Sequence, residues 1–369
     1  MDRYRVAVIP GDGIGADVIA GGLAVLRQAG EVTGSFALDT TEYPWSCQWY
    51  LEHGGMMPKD GLDQLRGSDA IYLGAIGFPG VPDHISLRGL LLPIRFAFDQ
   101  YVNLRPIELL DGIPGPLRDR GPADIDILCV RENTEGEYAG LGCRFHEGRP
   151  DETAVQTSVF TRKGIERVAR FAFDQARLRR RKVASATKSN ALQYSAVFWD
   201  EVVAEVGTEY PDVELTKYHV DALAARFVTS PQSLDVVVGS NLFGDILTDI
   251  GGALQGSLGL PAGANLNPER RYPSMFEPIH GSAPDIAGRG IANPMAAVWA
   301  GALMLEHLGQ PEGAALVMTA LRRIAKQGPR TPDLGGTAST SDLVGALTEA
   351  VRQCAGPASG SGQTPMLQP

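Results

Sequence analysis

Short apolar runs alternate with longer amphipathic stretches along this chain. Arg5–Pro10, Ser35–Asp39, Ala70–Leu73, Ile125–Val130, Val183–Ala186 and Val236–Val238 read as strands. Between them, Ile14–Gln28 and the stretch carrying Leu62 and Leu65 read as helices. Thr161–Leu178 sets Ile165, Val168, Ala169, Ala172 and Ala176 on one helical face. Further helices are expected near Pro294–Leu308, Glu312–Lys326 and Thr340–Arg352. Such alternation predicts an α/β protein, with parallel strands covered by helices on both faces. Pro and Gly cluster at 112–122 and 261–274, which predicts loops or crossings there and not a clean linker. No internal repeat is present.

Composition narrows the function classes. At 369 residues the chain is long enough for two domains or one large α/β unit. Its formal charge of −10 argues against binding nucleic acid or an anionic membrane surface. The one basic run (Arg177, Arg179, Arg180, Arg181, Lys182) reads as cations complementing a helix C-terminus on a wet face. Four scattered cysteines without CxxC spacing argue against structural zinc and fit a reducing cytosol. The N-terminus runs directly into a strand with no signal peptide, and the longest apolar helical run, Pro294–Leu305, is too short to span a bilayer. A cytoplasmic protein is expected. The Gly-, Pro-, Ser- and Gln-rich tail from Gly356 to Pro369 is expected to be disordered.

The most informative segment is Gly239-Ser240-Asn241-Leu242-Phe243-Gly244-Asp245-Ile246-Leu247-Thr248-Asp249. A strand ends at its start, and a helix is expected from near Phe243-Gly244. Asp245 and Asp249 then share a face with Cβ atoms about 5–6 Å apart, which suits a hard divalent cation such as Mg²⁺ or a solvated acidic helix start. Gly11-Asp12-Gly13-Ile14-Gly15-Ala16 fits G-x-G-x-x-A and has Asp39 near the end of the next strand. Two readings fit it, a pyrophosphate cradle or a tight strand-to-helix turn. Arg95, Arg105 and Arg131, placed near strand ends or in loops, suit a bidentate carboxylate clamp or plain surface charge. Tyr138 just past a strand is by itself a packing tyrosine, and Asp221 a lone helical carboxylate. Lys188 at a strand's C-terminal edge has the position of a base. The stretch Phe276–Pro294 reads as a loop whose Gly281-Ser282-Ala283 step lets backbone approach an anion, or as an ordinary surface loop. Asp285 on it suits ribose hydroxyls and would repel a 2′-phosphate.

Six of these motifs, in order, resemble one family. They are Gly-Asp-Gly-Ile-Gly at 11–15, Asn-Leu-Arg-Pro at 103–106, Val-Arg-Glu-Asn-Thr-Glu-Gly-Glu-Tyr at 130–138, Lys-Ser-Asn at 188–190, Asn-Leu-Phe-Gly-Asp-Ile-Leu-Thr-Asp at 241–249 and His-Gly-Ser-Ala-Pro-Asp-Ile at 280–286. The family is the β-decarboxylating dehydrogenases (isopropylmalate, isocitrate, homoisocitrate and tartrate/D-malate dehydrogenases), and the likeness covers roughly residues 3–352. Val81–Leu87, Asp99–Asn103 and Asn265–Arg270 look closest to the tartrate/D-malate branch.

The resemblance implies an isopropylmalate dehydrogenase-like two-domain fold with a large twisted mixed sheet flanked by helices. Residues 1–100 with 256–355 would form a cofactor-binding domain, and 101–255 a substrate, metal and dimerisation domain. It replaces the Gly11–Gly15 cradle with the His280–Asn293 loop. NAD would then be held by Glu277, His280, Gly281, Ser282, Ala283, Asp285, Ile286 and Asn293, with Asp285-Ile286 similar to NAD-selective members. Asp221, Asp245 and Asp249 would bind Mg²⁺ or Mn²⁺, and Arg95, Arg105 and Arg131 the substrate carboxylates. Lys188 would be the base for the C2 hydroxyl and Tyr138 the acid that protonates C3 after CO₂ leaves. Lys188 and Asp221 would come from the partner in a homodimer with shared sites. Arg88 departs from the pattern, because isopropylmalate enzymes carry an acidic residue there and tartrate/D-malate enzymes usually an aromatic one. It would read an anionic C3 substituent, or point outward. The implied activity is NAD- and metal-dependent oxidative decarboxylation of a 2-hydroxy acid with a C3 carboxylate, D-malate or tartrate first. An isopropylmalate- or isocitrate-like substrate and a non-catalytic regulatory subunit are the alternatives.

Overall fold

The structure is a computed structural model that describes residues 1–355, so the tail expected to be disordered lies outside the described residues. Strands β1 (Asp2–Gly11) and β2 (Phe36–Glu42) flank helix α1 (Gly15–Thr33). Two short helices, α2 (Cys47–His53) and α3 (Gly61–Arg66), lead to β3 (Ala70–Ala75). A helical segment follows, made of α4 (Asp83–Ser86), a π-turn at Leu87–Leu91 and α5 (Leu92–Ala97). Next come β4 (Val102–Glu108), β5 (Asp126–Glu132) and a separate hairpin of β6 (Gly136–Phe145) and β7 (Thr153–Val159). The order continues α6 (Arg162–Arg177), β8 (Lys182–Thr187), α7 (Ser195–Gly207), β9 (Glu214–His219), α8 (Val220–Thr229), β10 (Val236–Gly239) and α9 (Asn241–Leu254). Strands β11 (Ala262–Leu266) and β12 (Ser274–Pro278) precede α10 (Met295–His307), α11 (Pro311–Gln327) and α12 (Thr340–Cys354).

Ten strands form one sheet in the order β2-β1-β3-β12-β11-β4-β5-β10-β8-β9. The α/β alternation predicts parallel pairing throughout, and both flanks obey it. The centre does not: β12–β11, β11–β4 and β4–β5 are antiparallel. The reason is connectivity. A seven-residue loop joins β11 to β12, and no helix lies between β4 and β5, whereas parallel neighbours need a crossover. The sheet is therefore mixed, as the family resemblance implies. The loop expected at 261–274 contains β11, and the one expected from Phe276 begins inside β12.

Helix packing follows the apolar pattern. In α6, the Thr161 side chain caps the N-terminus by accepting from Gly164 N at 3.0 Å, and Ile165, Val168, Ala169, Ala172, Phe173 and Ala176 are buried. Every residue of α10 is buried, which explains its apolar run from Met295 to Leu305, and the burial extends to Glu306 and His307. On the other face of the sheet, Ala7, Ile9, Ile71, Leu73 and Met275 pack with Trp45, Leu65, Leu90, Ile94 and Phe98. The basic run lies on a largely wet face, as expected, but most of its cations are held by ion pairs. Arg179 bonds the fully buried Asp235 at 2.8 Å and Asp126 at 2.7 Å, Arg180 bonds Asp126 at 2.8 Å, and Arg177 bonds Asp212 at 2.7 Å. All four cysteines are free. Among the described residues no helix is long and apolar enough to cross a membrane.

Candidate active site

Register builds the site. Cross-strand partners face the same side of a sheet, as do residues two apart on one strand. Arg131 pairs with Asn103, and Asn103 with Asn265; Arg105 lies two residues from Asn103, and Glu277 pairs with Gly263, two residues from Asn265. One face at the antiparallel centre therefore carries Arg131, Arg105 and Glu277, with Asn103 and Asn265 between them. A cleft of about 250 Å³ opens there, lined also by Arg95, Tyr138, Asp245, Leu87, Leu91, His280 and Gly281. The three arginines were expected near strand ends or in loops. Arg131, the penultimate residue of β5, is near a strand end as expected, whereas Arg95 is on α5 and Arg105 is inside β4; Tyr138 lies past β5, as expected, but within a further strand, β6. A polar residue inside a buried strand does not look like a strand residue, which is why the pattern misplaces Arg105.

Each arginine is fixed by neighbours. Arg131, 2% exposed, donates through Nε and Nη2 to Asn241 Oδ1 at 3.0 and 2.7 Å and through Nη1 to Asp245. Arg105 donates to Asn103 Oδ1 at 2.8 Å and Thr248 Oγ1 at 3.2 Å, and lies 3.9 Å from both Asp245 and Asp249. Arg95 pairs with Glu277 at 3.2 Å, and Glu277 also accepts from Asn265 Nδ2 at 2.7 Å. Asn103, Asn241, Thr248 and Asn265 are supports that reasoning on charged residues alone misses; Asn241 and Thr248 belong to the 241–249 motif and Asn103 opens another. Helix α9 begins at Asn241, two residues before its expected start, because the Ser240 side chain caps it. It approaches β5 closely at Gly244, where a β-carbon would lie 2.6 Å from Cβ and Cγ of Arg131. Only glycine lets Asp245 meet that guanidinium.

The charges bias one another. Burial pushes Asp245 up, but Arg131, then Arg105 and the Tyr138 hydroxyl outweigh it and hold the carboxyl below its usual range. Tyr138, donating to Asp245 Oδ2 at 2.9 Å, is raised by burial first and by Asp245 next, so its hydroxyl keeps its proton. Burial, then Arg105, pushes Arg131 down to about 10, which leaves it charged at neutral pH. Asp249 is raised by desolvation, with Arg105 opposing and Asp245 adding.

Lys188 and Asp221 stand apart from this cleft. Lys188 Nζ donates to Asp221 Oδ1 at 2.8 Å, which holds that carboxyl below its usual range, and neither residue lines the cleft of its own chain. Among the described residues no three His, Cys, Asp or Glu side chains gather to hold a metal within one chain. Asp245 and Asp249 nevertheless offer hard oxygen donors on one helix face, the donor set a hard divalent cation takes. Arg88 is exposed and does not line the cleft, although Leu87 and Leu91 beside it do. Its Nη1 lies beside Gly140 of the β6–β7 hairpin, 3.0 Å from where a β-carbon would stand.

The loop from His280 docks on the Gly11–Gly15 turn. Ile14 N donates to Ser282 O at 2.9 Å, and Gly13, at φ +59°, would place a β-carbon 2.0 Å from that oxygen. Asp12 accepts from the backbone of Cys47, Gln48 and Gly77 at 3.0–3.3 Å. The first glycine motif is thus filled by protein, which favours the tight-turn reading. On the docked loop, the buried Nε2 of His280 has no partner, while Nδ1 lies 2.9 Å from Gly281 O; burial lowers the ring's basicity. Above Gly281 there is open space. Ala283 sits at φ +40°, Asp285 is exposed, and Ile286 packs on the core. Asn293 is committed elsewhere, donating to Asp333 at 2.9 Å and accepting from Met295 N at 3.0 Å. An orphaned imidazole nitrogen beside open backbone is a surface that fits a polar cofactor.

Comparison with known proteins agrees with this arrangement. The sequence profile of the isocitrate/isopropylmalate dehydrogenase family matches residues 5–347. The chain is 52% identical over 352 residues to a probable tartrate dehydrogenase/decarboxylase of Agrobacterium vitis, covering 95% of this chain and 98% of that protein. It is 51% identical over 359 residues to the decarboxylating D-malate dehydrogenase of Escherichia coli, covering 95% and 99%. The crystal structure of isocitrate dehydrogenase from Methylococcus capsulatus superposes with a TM-score of 0.84 at 37% identity, over 95% of this chain and 100% of that one. The protein is therefore an oxidoreductase and belongs to the isocitrate/isopropylmalate dehydrogenase family.

Proposed function

We propose that the protein catalyses NAD-dependent, divalent-metal-dependent oxidative decarboxylation of a 2-hydroxy acid bearing a C3 carboxylate, with D-malate or tartrate as substrate. The observation that carries this reading is the convergence of three buried arginines, a protonated tyrosine and a carboxylate in one cleft of about 250 Å³. That cleft suits a small dianion, and the names of the relatives supply the substrate class. A bound nicotinamide, held along Glu277, His280, Gly281, Ser282, Ala283, Asp285 and Ile286, supplies a hydride acceptor, and a divalent cation on Asp245, Asp249 and the partner subunit's Asp221 supplies Lewis acidity.

The chain's own groups do the rest. Arg95, Arg105 and Arg131 grip the substrate carboxylates, their forks already oriented by Glu277, Asn103 and Asn241. The partner subunit's Lys188 takes the C2 hydroxyl proton. Tyr138 delivers its proton to C3 once CO₂ has left, and its raised pKa keeps that proton available. The exposed Lys188–Asp221 pair, outside its own chain's cleft, supports a homodimer with shared sites. In the same reading, residues 1–100 with 256–355 bind the cofactor and 101–255 the substrate and metal, with the β11–β4 pairing as the seam. The test is NADH production with NAD⁺ and Mn²⁺ against D-malate, the tartrates, isopropylmalate and isocitrate. D-malate or a tartrate should give the highest kcat/KM; turnover of none would reject the assignment.

A further inference from the structure

A second cavity of about 250 Å³, as large as the catalytic cleft, lies at the other end of β3 and β12. Its walls include Arg66, Arg270, Arg271, Tyr272, His307 and Asp69. Nothing in the proposed reaction uses it.

Its charge is unusual for a chain of net charge −10. Arg270 and Arg271 make no ion pair among the described residues, and Arg66 has only Asp63, at 3.7 Å. Asp69 in the cavity wall and Glu269 beside Arg270 are already engaged. Asp69 accepts from Arg5, from its backbone N at 2.7 Å and its guanidinium at 3.2 Å, and Glu269 accepts from the Tyr101 hydroxyl at 2.8 Å. His307 is buried and kept neutral, its pKa pushed down to about 3 by burial and then by Arg270, so the positive charge is that of the guanidiniums.

Arg66 and the backbone that carries Arg270 and Arg271 are also held in place. Arg66 Cζ stands 5.6 Å from the Tyr272 ring and 5.8 Å from that of Phe98. The β11–β12 loop is pinned by Asn267, whose Oδ1 accepts from Arg271 N at 2.8 Å and whose N donates to Ser274 Oγ at 2.9 Å. Arg270 occupies a left-handed backbone conformation, φ +54°, without being glycine. Such strain at a bulky residue persists where the surroundings enforce it, and it concentrates at ligand clamps.

We infer that this cavity is a binding site for a diphosphate group, received by the Arg66, Arg270 and Arg271 guanidiniums with Tyr272 at its rim. Planar guanidiniums match phosphate oxygens two at a time, and three of them exceed what one monovalent anion needs. Two sources share this chemistry, inorganic pyrophosphate and a nucleoside diphosphate.

The test is calorimetric titration of the full chain with pyrophosphate and, separately, with ADP, both in metal-free buffer. Wild type and an Arg105→Ala variant, which lacks part of the catalytic clamp, should bind pyrophosphate alike. Arg270→Asn/Arg271→Gln should weaken binding by about 10-fold or more, the loss of two charge-assisted contacts. Asn tolerates the left-handed backbone, so the fold is retained, and the far-UV circular dichroism and thermal midpoint check this. Arg66→Gln gives an independent second variant outside that loop. ADP binding that is tighter than pyrophosphate and is weakened by Arg270→Asn/Arg271→Gln and by Arg66→Gln identifies a nucleotide as the source, and ADP binding no tighter than pyrophosphate, or left unchanged by these variants while pyrophosphate binding falls, identifies free diphosphate. No binding to wild type, undiminished binding to both pocket variants, or loss confined to Arg105→Ala would overturn the inference.

Discussion

Gly244→Ala separates activity from stability at the cleft. The new β-carbon would lie 2.6 Å from Cβ and Cγ of Arg131 and 3.2 Å from its Cα. Unstrained carbon contacts sit at about 3.5–4.0 Å, so α9 must retreat by about 1 Å. The clash is with the root of the arginine and its backbone, so no rotamer change relieves it. Overpacking of this kind costs about 1–3 kcal/mol. Alanine in place of glycine inside a helix returns about 1 kcal/mol. The net loss of stability is therefore small, about 0–2 kcal/mol. The functional loss is not small, because Asn241 and Asp245 ride on α9 and both grip Arg131. A displacement of about 1 Å in a positioned site costs about 100-fold in kcat/KM. Gly345→Ala on α12 is the control. Nothing stands within 4 Å of its added carbon, so it should stabilise by about 0.5–1 kcal/mol and leave turnover unchanged. Steady-state kinetics beside urea denaturation reads both quantities. A Gly244→Ala enzyme with wild-type kcat/KM, or one whose activity falls only with its folded fraction, would refute the reasoning.

Three further outcomes are expected. Glu277→Ala strands Arg95 in a pair whose side chains are 7% and 10% exposed, so it should destabilise by about 3–5 kcal/mol, while Glu214→Ala, from an exposed pair with Lys182, should change stability by under about 1 kcal/mol; both are read by denaturation. Because the folded pKa of His307 is depressed to about 3, the unfolded chain binds that proton more readily, so stability is full above about pH 6.5 and falls by about 1.4 kcal/mol per unit below it. His307→Phe, which keeps a ring against Phe276, should remove that slope from the pH dependence of urea unfolding. Arg88→Trp should lower kcat/KM for a substrate with an anionic C3 arm and spare D-malate, and equal effects on both would discard a role in reading that arm.

What was legible in the chain, and what was not, follows from how burial is achieved. Apolar runs such as Val236–Val238 and the striped helix α6 announce themselves, because hydrophobic burial alone stabilises them. Strands β4, β11 and β12 do not, although they hold the site together. Their buried positions include Asn103, Arg105, Asn265 and Glu277, which hydrophobic patterning scores as loop. These groups tolerate burial because they satisfy one another, Asn103 donating to Asn265 at 2.8 Å and Asn265 to Glu277 at 2.7 Å. Arg105, Arg131 and Asp245 are readable as members of ordered motifs, while singly each looks like surface charge; Arg95 and Glu277 lie outside those motifs. Asn293 uses its side chain to tie Asp333 to the start of α10.

Charge balance explains why one chain holds only part of the proposed machinery. The cleft carries three cations, Arg95, Arg105 and Arg131, against Glu277, Asp245 and Asp249, so it is neutral when empty. Burying net charge costs several kcal/mol per uncompensated ion. Additions that are themselves neutral avoid that cost. A dicarboxylate together with a divalent cation is such an addition, and so is the Lys188–Asp221 pair, already mated at 2.8 Å on the surface of its own chain. Under the proposed function, a base and a carboxylate would therefore enter a neighbour's cleft as a neutral pair, Asp221 to hold the cation and Lys188 to face the substrate hydroxyl.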